Sequence, residues 1–416
     1  TQGAAASITR GENGVADAGL RLGWSHNGGA YRISAGTARS DGLEGANGAN
    51  ETDRLQLSAH WALEHAAELE LRAGSVQVRA GRGDPLDVEG NPARPWSLGS
   101  QFVQLDWRRP LDDSQDLAIS LSHTENYVRD RFPYLGSALP LFYGTPVDSG
   151  GKESVNTVAA QHTVRLNPDL RVAWGAELRQ EDVMAPQQFD GSTHMATDFL
   201  RVFGSAEWRL TDQLLVNAGA LAEQSSSDGS IFSPRLMLNW HVLPGHTLRA
   251  GASTAFRPPS PYEKFARVQY YDLTGQFSTG YLKFNSGTLV REKLTSKEVG
   301  YYFAPENGNF SGDIRLFHEQ ITDGISQSEG TDPDTYLNVA NDDISGIEWQ
   351  LKWAPSPATR VLLSQTWTDI RVNSAPGPNT GFRMEHGAPR YAASLALMHH
   401  FDQGWNLSLM QQISDD

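Results

Sequence analysis

The sequence contains no cysteine, which excludes a disulfide framework, a thiolate nucleophile and a cysteine-based zinc site. No stretch reaches 18 consecutive apolar residues, so a membrane-spanning helix is excluded. Helix signals are scarce, because capping residues followed by apolar positions three and four apart do not recur. Positive charge is in deficit: the net charge is -15, whereas a nucleic-acid partner would need a basic face to displace counterions. Phosphate-cradling glycine loops, the Gly-x-Ser-x-Gly elbow and the His-Glu-x-x-His pair are absent, so no enzymatic activity and no bound cofactor is expected. The first residues, TQGAAASITRGENG, have neither a basic start nor an apolar core, and no signal peptide is expected within them.

What the chain does have is alternation. In LRVAWGAEL, Leu170, Val172, Trp174, Ala176 and Leu178 share one face, while Arg171, Glu177 and Arg179 lie on the other. RVFGSAEWRL sets Val202, Gly204, Ala206, Trp208 and Leu210 against Arg201, Ser205, Glu207 and Arg209. GIEWQLKW sets Ile347, Trp349, Leu351 and Trp353 against Glu348, Gln350 and Lys352. A period of two over about ten residues is the signature of a strand with one oily and one wet face.

The connections decide what kind of sheet this is. Short links follow Trp24, Trp61, Trp107, Leu166, Trp208, Trp240, Phe303 and Trp353. Between them fall long links at roughly 39–51, 80–98, 129–152, 183–196, 257–289, 324–335 and 372–385, with brief ones near 10–13 and 226–230. Turns on one side and loops on the other are expected of an outer-membrane β-barrel, whose mean hydropathy is polar because only alternate residues meet lipid. Six of the 11 tryptophans (Trp24, Trp61, Trp107, Trp208, Trp240, Trp353) stand on the apolar face shortly before a short link, as an interfacial girdle would. A propeller, the best soluble competitor, predicts a repeated blade signature that is not found. The fold expected is therefore an all-β transmembrane antiparallel barrel with about nineteen strands in this chain. Single-chain barrels have even strand numbers and no edges in lipid, so further strands are expected beyond Asp416.

Four stretches resemble the TonB-dependent outer-membrane receptors. AFRPPSPYE (255–263) is similar to the family's Phe-Arg-Ala-Pro segment, and REKLTSKEVGYYF (291–303) to the Lys-Pro-Glu strand that follows it. YLNVANDDISGIEWQLKW (336–353) resembles the family's Asn-x-Gly-x-x-x-x-Gly-x-Glu stretch and GAPRYAASLAL (387–397) its later Ala-Pro strand start, in family order and spacing. The resemblance implies a barrel of the 22-strand type around a folded N-terminal plug. No plug-like or TonB-contacting sequence is recognised, so residues 1–416 are read as one barrel domain lacking the plug and the last C-terminal strands. It also implies the outer membrane of a Gram-negative bacterium. The implied partners are a ferric siderophore or similar ligand, TonB–ExbB–ExbD acting through the plug, and outer-membrane lipid and lipopolysaccharide. A passive porin, or a receptor for another scarce nutrient such as haem, remains the alternative. Haem would favour a loop histidine, and His194 and His386 are available but isolated.

Two loop stretches carry the candidate ligand-binding residues. NYVRDRFPYLGSALPLFYG (126–144) offers Tyr127, Arg129, Arg131 and Tyr134, and ARVQYYDLTGQFSTGYLKF (266–284) offers Arg267, Tyr270, Tyr271 and Tyr281. Aromatic rings beside guanidinium groups suit a planar anion such as a ferric catecholate, through stacking, cation–π contact and charge-assisted hydrogen bonds. Loop aromatics that pack only on one another would give the same pattern. No residue is expected to be catalytic, and no set of side chains has metal-ligand spacing.

Overall fold

A computed structural model describes residues 2–415, apart from 44, 88–90, 138, 192–193, 306–307, 329–332 and 374–386. Nineteen antiparallel strands form one sheet: β1 (Gly3–Arg10), β2 (Ala16–His26), β3 (Gly29–Ser40), β4 (Asn50–Ala62), β5 (Glu68–Arg82), β6 (Arg94–Asp112) and β7 (Gln115–Arg129). After the first large loop come β8 (Gly151–Asn167), β9 (Leu170–Met184), β10 (Met195–Thr211), β11 (Leu214–Ser225), β12 (Gly229–Leu243) and β13 (His246–Arg257). A second large loop leads to β14 (Glu292–Phe303), β15 (Phe310–Ser328), β16 (Thr335–Ser356), β17 (Thr359–Val372), β18 (Tyr391–His400) and β19 (Asn406–Ser414). Each strand pairs with its sequence neighbours, and β1 and β19 are the two edges. This is the all-β barrel wall expected from the alternation, with the expected number of strands.

The turns are short for local chemical reasons. Asn27-Gly28 joins β2 to β3 with both residues at positive φ (48° and 75°), the mirror-image turn that matches strand twist. The two-residue link Pro244-Gly245 has Gly245 at φ 74°, where an added Cβ would lie 2.3 Å from the Ala304 carbonyl. The Asp112 carboxylate accepts from the Ser114 backbone N–H at 2.7 Å and so closes the β6–β7 turn.

Register assigns the faces. Arg72 donates to Asp106 at 2.7 Å, Arg201 to Glu177 and Glu223 at 2.7 Å each, and Arg315 to Glu298 at 2.6 Å and Glu348 at 3.2 Å. These pairs occupy the lumenal face, where cross-strand charges satisfy one another. The opposite face carries Leu170, Val172 and Trp174 beside Trp208, Ala206 and Gly204, and Trp349 beside Ile314. Leu117, Ile119 and Leu121 continue it on β7. The six tryptophans lie on this outer face, one to five residues before the ends of their strands, Trp107 being the farthest from its turn.

Strands such as β8, with 17 residues, and β16, with 22, exceed the 9–11 residues needed to cross a bilayer. Their surplus lies at the loop end, where the outer face turns polar: His123 and Glu125 follow Leu121, and Gln180 and Asp182 follow Leu178. The loop expected at 324–335 is shorter than the sequence suggests, since β15 runs on to Ser328 and β16 begins at Thr335. Asp323 adopts a left-handed conformation (φ 56°) where the register shifts, so the alternation breaks although the hairpin continues.

Candidate ligand-binding site

The loop between β13 and β14 is 34 residues long, and both of its ends are pinned to the barrel (258–291). Pro258 and Pro259 stop β13 because they cannot donate to the ladder. Ser260 then caps a short helix, α1 (Pro261–Phe265), through a reciprocal capping box with Glu263. Glu263 also accepts two hydrogen bonds from Arg257, at 3.0 and 3.1 Å, while the Arg257 Nε donates to Glu292 across the strand pair. Lys264 Nζ reaches the Ser227 carbonyl at 2.7 Å and Asp228 Oδ1 at 2.6 Å, and both side chains are less than a tenth exposed. At the other end Arg291 donates to the Gly229 carbonyl at 2.9 Å and faces buried Glu223 at 3.4 Å. A buried charge is tolerated only when paired, so these contacts fix the loop base against β10–β12.

From that base the loop extends to meet two others. The Arg267 N–H donates to the Gln188 carbonyl at 2.8 Å, and Gln269 and Tyr281 donate to Asp190 at 2.7 and 2.8 Å. Thr145 Oγ1 donates to the Tyr271 carbonyl at 3.1 Å, and the rings of Tyr134 and Tyr270 stand 6.3 Å apart. Gln187 ties the remaining pair of loops together by accepting from the Asp148 N–H and donating to the Pro146 carbonyl. On the far side, Phe284 donates to the Asp334 carbonyl at 3.0 Å and Asn285 accepts from the Tyr336 N–H at 3.1 Å. Three outer loops thus form one interlocked layer, joined to the start of β16.

Five of the eight candidate residues meet in this layer: Tyr134, Arg267, Tyr270, Tyr271 and Tyr281. Arg267 lies over the Phe284 ring at 5.2 Å, and Tyr271 is 48% exposed, so a ring and a guanidinium remain open to a ligand. The other three do not join them. Tyr127 and Arg129 continue the outer face of Leu121 and Glu125, with Arg129 5.3 Å over the Tyr127 ring, and Arg131 binds Asp148 at 2.6 Å. The two stretches look alike in sequence, but in the first Tyr127 and Arg129 stand on the outer face of the ladder while Tyr134 joins the loop layer. His194 hydrogen-bonds Asp182 at 2.8 Å, and His386 lies outside the described residues.

Local electrostatics keep the phenols of this layer protonated. Burial, then the neighbouring Tyr134, raises the Tyr270 hydroxyl above the ordinary tyrosine range. The hydrogen bond to Asp190 raises Tyr281 likewise and holds Asp190 below the usual carboxylate range. Both phenols therefore stay protonated donors at neutral pH. Burial lowers Lys283, which sits 4.6 Å from the Tyr336 ring and 5.5 Å from Tyr262, although Asp334 opposes the shift. Asp190, Lys264, Lys283 and Tyr336 escaped the sequence reading. The capping box Ser-Pro-Tyr-Glu just before Lys264 was a usable signal for an ordered loop base, whereas Asp190 has none.

The family described as TonB dependent receptor-like, beta-barrel, matches residues 7–414. An iron-regulated outer membrane virulence protein of Vibrio cholerae serotype O1 is 23% identical over 237 residues. That alignment covers 53% of this chain and 35% of the relative, so the chain spans about a third of the curated relatives it matches. The siderophore receptor PirA from Pseudomonas aeruginosa aligns with a TM-score of 0.75 at 12% identity, covering 99% of this chain and 70% of that one. A variant of the ferric enterobactin receptor PfeA from the same organism gives 0.76 at 14%, covering 99% and 66%. The ferric-catecholate import receptor Fiu from E. coli K12 gives 0.72 at 13%, covering 99% and 71%.

Proposed function

The chain belongs to the β-barrel family of TonB-dependent receptors in the Gram-negative outer membrane, and from that premise we propose that it forms the wall and outer loops of a ferric-siderophore uptake receptor. The observation that carries the ligand class is the interlocked loop layer, which brings Tyr134, Arg267, Tyr270, Tyr271 and Tyr281 together. A ferric catecholate is planar at its rings and anionic overall. Tyrosine rings would stack on it, Arg267 would meet its charge, and the Tyr270 and Tyr271 hydroxyls would donate hydrogen bonds, the Tyr281 hydroxyl being committed to Asp190. The names of the similar structures (siderophore receptor, ferric enterobactin receptor, ferric-catecholate import receptor) support the class, while their low identity supports the fold alone.

Uptake is read as a property of the whole receptor acting with TonB, since the chain spans only 66–71% of the length of those three receptors. The family is one of receptors and transporters rather than enzymes. The test is accumulation of iron-labelled ferric catecholate by cells making the full-length receptor, with and without TonB. TonB-dependent accumulation is expected. Accumulation indifferent to TonB would contradict the reading, and accumulation of haem but not of the catecholate would change the ligand class.

A further inference from the structure

Lumenal arginines are not all treated alike by this wall. Arg72, Arg201, Arg249 and Arg315 each meet a carboxylate across the ladder. Arg165 and Arg171 share their rung with Glu207. Arg21, Arg32 and Arg54 differ: all three are exposed, and among the described residues none has an ion pair or a side-chain hydrogen bond. Leu20, Leu22 and Trp24 hold the outer face of β2, so Arg21 points into the lumen, and register carries Arg32 and Arg54 to the same side. The three occupy successive rungs, Gly19–Gly36–Arg54, Arg21–Ser34–Gln56 and Gly23–Arg32–Ser58. Neighbouring rungs are about 7 Å apart along a strand.

Their surroundings are small and almost free of negative charge. Ser7, Gly19, Ser34, Gly74 and Ser100 line a recess of about 640 Å³ around Arg21 and Arg54. An added Cβ at Gly36 would lie 2.9 Å from the Arg54 Nε, so this glycine makes room for the guanidinium against the wall. On the lumenal face of β1–β4 the described residues supply one carboxylate, Asp17, a rung further toward the loops. Arg32 comes soon after the Asn27-Gly28 turn, so the set reaches toward the short-turn end of the lumen, away from the loop layer. Guanidinium forks among small residues leave space for an anion and match its oxygens, and charge of one sign along a walled channel concentrates the opposite sign. We propose that Arg54, Arg21 and Arg32 form a second anion subsite deep in the lumen, over which a negatively charged cargo passes between the loop layer and the short-turn end. The transit role rests on the uptake reading above, whereas the anion site itself does not.

The experiment treats the purified full-length receptor with phenylglyoxal, which modifies free guanidinium groups, and follows each arginine by mass spectrometry. Three probes are compared: a ferric catecholate, inorganic pyrophosphate and an uncharged ferric hydroxamate. Ferric catecholate is expected to slow modification of Arg21, Arg32 and Arg54 about fivefold, pyrophosphate less and the hydroxamate not at all, with Arg165 and Arg171 unaffected. Equal modification with and without the anions would overturn the site, as would arginines that never react because another part of the receptor pairs with them. Protection by pyrophosphate but not by ferric catecholate would overturn the transit role in favour of a small oxyanion. Uptake by cells with TonB is the second arm. R21Q/R32Q/R54Q should bind ferric catecholate at the cell surface within about twofold of wild type yet take it up about fivefold more slowly, and R21K/R32K/R54K should recover most of the rate. Thermal melting of the β signal checks folding; should the triple variants not fold, Arg21→Gln alone should slow uptake about twofold. Unchanged uptake in the glutamine variant, or the same loss in both triple variants, would overturn the transit role. Wild-type cells that take up no ferric catecholate would contradict the uptake reading and the transit role with it, while protection still decides the anion site.

Discussion

The stretches 126–144 and 266–284 each carry three tyrosines and two phenylalanines, with two arginines in the first and one in the second, yet the fold uses them differently. The first begins as the end of a strand, so its side chains inherit strand alternation, and Tyr127 and Arg129 are committed to the outer face. The second begins after two prolines and a helix cap, outside the barrel ladder, and is held instead by Lys264, Arg291 and the contacts to Asp190. Composition therefore says what a segment could bind. Its distance from the nearest ladder says which side of the wall it will face.

The largest expected effect comes from loosening the second stretch at its base. Lys264→Met leaves Asp228 buried without its counter-charge, at a cost of about 3–5 kcal/mol. Hydrogen exchange should then show lost protection across 258–291 and the 185–194 loop, with β5–β8 unchanged. Uniform loss over both regions would mean that the loop layer is not a separate unit.

The face assignment is sharpened next by two substitutions three residues apart, on opposite faces of β10. Val202→Lys would place an ammonium in the apolar band, costing about 2–4 kcal/mol near the bilayer midplane, whereas Ser205→Lys on the lumenal face should cost little. Folding titrations into lipid vesicles measure both. A larger penalty at Ser205 would reverse the faces and move Tyr127 and Arg129 into the lumen.

The smallest effect is pH dependence of the loop layer. The folded protein holds Asp190 below the usual carboxylate range through the Tyr281 hydrogen bond. A depressed carboxylate contributes stability above its unfolded pKa, and that contribution is lost as pH falls through the lower folded value. The contacts of 269–281 with 185–194 should therefore hold from neutral pH down to about pH 4 and loosen below it. Hydrogen exchange of 269–281, corrected for the intrinsic rate at each pH, reports this, and Asp190→Asn should remove the dependence. Persistence of the same acid step in Asp190→Asn would assign it to another carboxylate.

Most of the wall was legible in the sequence, because β-strands facing lipid on one side and water on the other must alternate. Leu170 to Leu178 shows this without any structure, and so do the tryptophans before the short links. The alternation also bounded the loops to within a few residues, except at Asp323, where a bulge hides a continuing hairpin. The site was half legible. Tyr134, Arg267, Tyr270, Tyr271 and Tyr281 were chosen for chemistry and lie together, but Tyr127, Arg129 and Arg131 were chosen by the same rule and lie elsewhere. Parity with Leu121 could have separated them, since all that was needed was to continue counting past the end of the apolar band. Asp190 could not be found in this way, because its role depends on a contact with Tyr281, 91 residues away.

The most direct test compares the two stretches by equilibrium binding of a ferric catecholate to the purified full-length receptor. The double variant R267A/Y270A should lose about tenfold or more in affinity through the missing charge and ring contacts, and Y127A/R129A should stay within about twofold of wild type. Equal losses in both variants, or a larger loss in Y127A/R129A, would contradict the division of the two stretches between the ligand and the membrane.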